Sequence, residues 1–119
     1  KMGTIRNEMT IVHHWNREDL EKVREDAIKM FRQITEQDNL VEEYEIENMV
    51  SPIMRSYINQ EYTFIINGDC SKRGWEPSKR FHEARMQWCE KHAHDVQNII
   101  VINFGEEDPC WIEFDNGMR

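Results

Sequence analysis

Tyr62-Thr-Phe-Ile-Ile66, Asn67-Gly-Asp-Cys-Ser-Lys-Arg-Gly-Trp75, a periodic segment from Pro77 to Ala93, and Asn98-Ile-Ile-Val-Ile-Asn-Phe104 follow one another without a break. The first and last runs are β-branched and aromatic, as strands require. Between them lies a glycine-bounded loop, then a helix with Phe81, Ala84, Arg85 and Trp88 along one side. The unit reads as strand, loop, helix, strand, and is predicted to be parallel and right-handed where its strands share a sheet. Ile99-Ile-Val-Ile102 is an uninterrupted apolar run, which suits a central strand covered on both faces.

Reading outward, Gly105-Glu-Glu-Asp-Pro109 is a loop, and Cys110-Trp-Ile-Glu-Phe114 alternates as a half-exposed strand does. The two last strands should pair as an antiparallel hairpin. Towards the N-terminus, Thr10-Ile-Val-His-His-Trp15 is a short strand. Asn16 then caps a helix from Arg17 to Gln37, with Glu18 and Asp19 at its positive end and Trp15 and Leu20 spaced for a hydrophobic staple. Leu20, Val23, Ala27, Met30, Phe31 and Ile34 form its apolar stripe. A second stripe, Ile46, Met49, Val50, Ile53, Met54, Tyr57 and Ile58, predicts two short helices or one kinked helix over Val41 to Asn59, with Ser51 as N-cap and Pro52 at the first helical position. The predicted order is β-α-α-β-α-β-β. The fold class is α+β, or a small α/β: one mixed sheet of about four strands with three to four helices. Residues 1–9 read as a flexible tail and 10–119 as a single domain.

The 119 residues suffice for one core without disulfides or metal. The charged fraction is 32% and the net charge −8, which argues against broad binding of nucleic acid. No apolar run approaches a membrane span. Three widely spaced cysteines do not make a secreted disulfide framework, so a reducing, cytoplasmic setting is expected. Charge is unevenly placed. Six acids and no base lie between Glu36 and Glu47, five acids and no base between Glu106 and Asp115, and six bases against three acids between Lys72 and Lys91.

Four constellations bear on chemistry. Gly68, Lys72, Arg73, Gly74, Trp75, Lys79 and Arg80 could bind an anion, phosphate or nucleotide where a strand leads into a helix, although neither a Walker loop nor a dinucleotide turn is present. Cys89, His92 and His94, with His13, His14 and His82, do not build a tetrahedral zinc set without help from the fold, and no metal or cofactor is expected. Cys70, beside Lys72 and Arg73, is the candidate nucleophile, its thiol expected to be acidified. No hydrolase, protease or kinase motif accompanies it, so a non-enzymatic protein is favoured. The acidic positions Glu42, Glu43, Tyr44, Glu45 and Glu47, with Glu106, Glu107, Asp108 and Trp111, offer a surface for a protein partner. Trp15 and Trp88 read as core, Trp75 and Trp111 as exposed.

The expectation is a small acidic interaction protein, binding and regulating or inhibiting a macromolecular partner, of the kind that bacteria and phages use as accessories. A binding domain for an anionic small molecule at the 67–80 loop, or an enzyme using that loop, is the alternative. An unpaired first or last strand leaves a homodimer open.

Overall fold

The structure, a computed structural model, describes residues 4–37, 45–105 and 109–118. Five strands form one antiparallel sheet: β1 (Asn7–His14), β2 (Met54–Arg55), β3 (Tyr62–Ile66), β4 (Asn98–Phe104) and β5 (Trp111–Asp115), in the order β2-β3-β1-β4-β5. Two α-helices among the described residues, α1 (Arg17–Gln37) and α2 (Glu76–Lys91), accompany it. The fold is α+β, with a split β-α-β-β-α-β succession extended by β5.

The sheet is antiparallel rather than mixed, and the reason lies in β1. It pairs with β3 on one side and β4 on the other, antiparallel to both. The two strands flanking α2 therefore do run the same way, but β1 is inserted between them. β4 and β5 form the expected antiparallel pair.

α1 has the predicted bounds. Its cap is as read: the Asp19 amide donates to Asn16 Oδ1 at 3.1 Å. The staple is not formed as read, because Trp15 is 63% exposed and lies outside the core. Leu20, Val23, Ala27, Ile28, Phe31 and Ile34 of α1 pack with Phe81, Trp88 and Cys89 of α2 over Val12, Phe64, Ile66, Ile99, Val101 and Phe114 of the sheet. The Trp88 indole N–H donates to the Val23 carbonyl and its ring meets Phe64 edge-on, joining both helices to β3.

The helix predicted over 41–59 is not formed where the chain is described; residues 41–44 lie outside the described residues. Ile46–Asn48 is a single 3-10 turn, and Met54–Arg55 is an edge strand on β3. Ser51 is not a helix cap. Its amide donates to the Ile65 carbonyl and its hydroxyl accepts from the Ile65 amide, which holds 50–55 along the sheet edge. Pro52 has no amide to donate, and a sheet edge tolerates that as a helix interior does not. The 3.6-residue spacing of apolar side chains was a coincidence of a turn followed by an edge.

β1 starts at Asn7, three residues earlier than the sequence suggested. Thr4–Arg6 are tied to the loop after β3: the Arg6 amide donates to Ser71 O, and the Arg73 amide to Thr4 O. Gly68 is required there, because a Cβ would lie 2.8 Å from the Glu8 carbonyl oxygen.

Candidate functional site

Both helices lie on one face of the sheet, so each strand should turn apolar side chains towards them and polar ones away. β1 reverses this pattern. Its inward row is Glu8, Thr10, Val12 and His14, all buried; its outward row is Asn7, Met9, Ile11 and His13, half-buried. Two surfaces result.

The first is the outward face. By register, Ile11 stands between Ile65 and Ile100, and Ile102 between Met9 and Ile112. Phe104, 41% exposed, extends the patch beside Asn7, and Met54, 50% exposed, extends it beside Thr63. β4 is thus buried on one face only, against the expectation of two, and the isoleucines at 100 and 102 point away from the core. Among the described strand residues the one carboxylate on this face is Asp115, at its β5 margin opposite Ile100, and Glu61 meets His13 at 3.4 Å at another margin. For a chain of which 32% is charged, this is a sharp local departure.

The second is a polar cluster beneath the inward face. His82 Nδ1 of α2 lies 3.1 and 2.9 Å from Glu8 Oε1 and Oε2, and 3.6 Å from Glu113 Oε1 of β5. A register shift between Val101 and Ile102 gives β5 an extra residue, so that Glu113 and Phe114 both turn inward. Asn103 Nδ2 donates to Glu113, and Arg73 donates to Asn103 Oδ1. Arg85 is wholly buried; it donates to Thr10 Oγ1 and to the Ile66 and Asn67 carbonyls. Its Nε lies 3.8 Å from Glu8 Oε1, beyond a hydrogen bond, and makes none among the described residues. Burial pushes the Glu8 carboxyl up, and its hydrogen bond with Glu113 adds to this against the opposing pull of His82 and Arg85. Burial likewise pulls the Arg85 guanidinium down, opposed first by Glu8.

Glu42, Glu43, Tyr44, Glu106, Glu107 and Asp108 lie outside the described residues. Glu45, which precedes the 3-10 turn, and Glu47, within it, are exposed, and Trp111 is 51% exposed on β5. In the 67–80 loop, Lys72 lies over the Trp75 ring, Arg73 reaches Asn103, and Arg80 pairs with Glu76 at 3.9 Å. Gly74 adopts a φ of 95° in this loop, and Lys79 is exposed on α2. The basic side chains engage three separate local partners rather than one centre. Trp75 is exposed and Trp88 buried, as read.

The expected acidification of Cys70 is reversed. Partial burial, then Asp69, raises its thiol above the ordinary value. Cys89 is buried on α2 and its thiol is pushed up to about 12, chiefly by burial. His92, three residues on, is held by Asp26 and Asp95, each at 2.7 Å, so Cys89, His92 and His94 do not converge on one point. A thiol-labelling reagent at neutral pH should therefore modify Cys70 and Cys110 in the folded protein, and Cys89 only on unfolding. Rapid labelling of all three would contradict this placement.

Sequence reasoning missed both surfaces. Glu8 stood in a stretch read as a tail, and Glu113 in a strand read as simple alternation. The legible signal was the alternation of Asn7 to His14, in which the more apolar row is the outward one.

No protein-family model, curated protein or solved structure matches this chain.

Proposed function

We propose that this is a non-enzymatic interaction protein that binds a protein partner through the outward face of its sheet, and that the partner is a second copy of the chain. The observation that carries this reading is the row Ile65-Ile11-Ile100 with Met9-Ile102-Ile112 beside it, an apolar patch where a solvated sheet face should be polar.

Charge narrows the occupant. The strand residues of this face include no lysine or arginine, which gives nucleic acid or an anionic lipid surface little to hold. A basic protein steered by the −8 charge would seek carboxylates, and among the described residues it would meet Asp115 and Glu61 at the margins of this face. The same −8 charge makes two copies repel wherever their charged surfaces meet. The sparsely charged face is where they can approach, and an apolar sheet face can meet its own copy across a two-fold axis. Two such sheets pack about 10 Å apart. No helix among the described residues is long and apolar enough to cross a membrane.

Light scattering across a concentration series tests this. The unmodified chain should show twice the 14.5 kDa chain mass. Ile102→Asp places a charge at the centre of the patch and should return the mass to that of one chain, with a melting temperature within a few degrees of the original. Glu45→Gln and Glu47→Gln should leave the double mass unchanged. A single-chain mass at every concentration, or a double mass indifferent to Ile102→Asp, would overturn the proposal.

A further inference from the structure

We infer that Glu8, His82 and Glu113 form a binding site for a divalent first-row transition metal of the zinc class. The inference is independent of self-association, since these side chains lie on the inward side of the sheet.

Donor geometry carries it. Ligands of a tetrahedral zinc stand about 2.0–2.1 Å from the ion, hence roughly 3.3 Å from each other. His82 Nδ1 lies 2.9 Å from Glu8 Oε2 and 3.6 Å from Glu113 Oε1, and one donor atom from each of the three residues falls within 4.8 Å of the others. The chain has thus drawn an imidazole and two carboxylates from three separate elements to the spacing of a coordination shell. One imidazole nitrogen with two carboxylates suits zinc and its neighbours better than magnesium or calcium, which take all-oxygen shells.

Two further features point to the same centre. Glu113 reaches it only because the β-bulge turns two successive β5 residues inward, and such irregularities commonly re-aim a side chain at a site. Arg85 is the natural partner for a buried carboxylate, yet it spends its terminal nitrogens on Thr10, Ile66 and Asn67 and leaves Nε without a hydrogen bond 3.8 Å from Glu8. The Glu8 carboxylate is aimed instead at His82, with both oxygens within 3.1 Å of Nδ1. The buried Glu8 and half-buried Glu113 carboxylates share this centre and repel each other unless further positive charge is supplied. A divalent ion provides it, and Asn103, bonded to Glu113, is placed to steady that ligand from outside the shell. His82, whose side chain is 28% exposed, marks the side by which an ion and a completing water can enter.

The full chain, stripped with a chelator, is titrated calorimetrically with zinc ion alone, and separately with cobalt(II) read by its visible absorption. One zinc per chain is expected, with a rise in melting temperature and a cobalt spectrum of four-coordinate intensity. Glu113→Gln, a near-isosteric change at a partly exposed position, should weaken zinc binding at least about tenfold and alter the cobalt spectrum while the circular dichroism is preserved. His82→Ala should do the same. Asp95→Asn, which removes a carboxylate from the separate His92 cluster, should leave both readouts unchanged. Binding that survives Glu113→Gln and His82→Ala, binding lost instead with Asp95→Asn, or no saturable binding at all would overturn the assignment.

Discussion

Replacing Arg85 by methionine is expected to destabilise the domain by about 3–5 kcal/mol, the usual effect of removing one partner from a buried ionic group. Arg85 is the largest fully buried side chain. It joins α2 to β1 through Thr10, and to the end of β3 through the Ile66 and Asn67 carbonyls. Its guanidinium also lies over the Phe31 ring of α1, 5.7 Å from the centroid. Methionine fills much of the volume but leaves the acceptors unsatisfied and removes the buried guanidinium beside Glu8. Urea unfolding should show the loss as a lower midpoint at constant slope. The double change with Glu8→Gln should cost less than the sum of the single changes, because the two residues share one environment. A loss below about 1 kcal/mol for Arg85→Met would contradict the role given to this side chain.

Trp88→Ala should cost a comparable amount, about 3–5 kcal/mol. Trp88 is 2% exposed, hydrogen-bonds the Val23 carbonyl at 3.1 Å, and meets Phe64 at a centroid distance of 6.3 Å. Truncation opens a void where α1, α2 and β3 meet, and surroundings as close-packed as a protein interior relax into it only in part. Trp88→Phe keeps most of the apolar volume and loses the N–H, so it should cost distinctly less than alanine. Equal losses for the two variants would mean that the hydrogen bond, rather than the packing, dominates at this position.

Much of the fold was legible because its signals are local. α1 announced itself by an apolar stripe from Leu20 to Ile34 and by the Asn16 cap. β3, α2, β4 and β5 were read within a residue or two of their bounds at most ends. What was missed depends on pairing partners far apart in the chain. No local pattern says that β1 enters between β3 and β4, which makes the sheet antiparallel throughout. The stretch 46–58 carried helical spacing, but its backbone bonds go to β3, through Ser51 and Ile65. The polar cluster was harder still. Glu8, His82 and Glu113 are far apart in sequence, and the bulge that turns Glu113 inward leaves no local mark. The outward face was partly visible, since Ile99–Ile102 stood out as continuously apolar; the error lay in taking this strand to be covered on both faces.

These two surfaces have one origin in β1. Its inward row spends Glu8, Thr10 and His14 on polar contacts with Arg85, His82 and the chain near Gln97, while its outward row gives Met9 and Ile11 to the open face. Self-association through that face is the central claim. Small-angle X-ray scattering of the unmodified chain tests it most directly, because mass and shape come from one curve. A forward-scattering mass of two chains, with a radius of gyration well above the 14.4 Å of the single chain, is the predicted result. A one-chain mass with a radius of gyration close to 14.4 Å at the highest soluble concentration would contradict it.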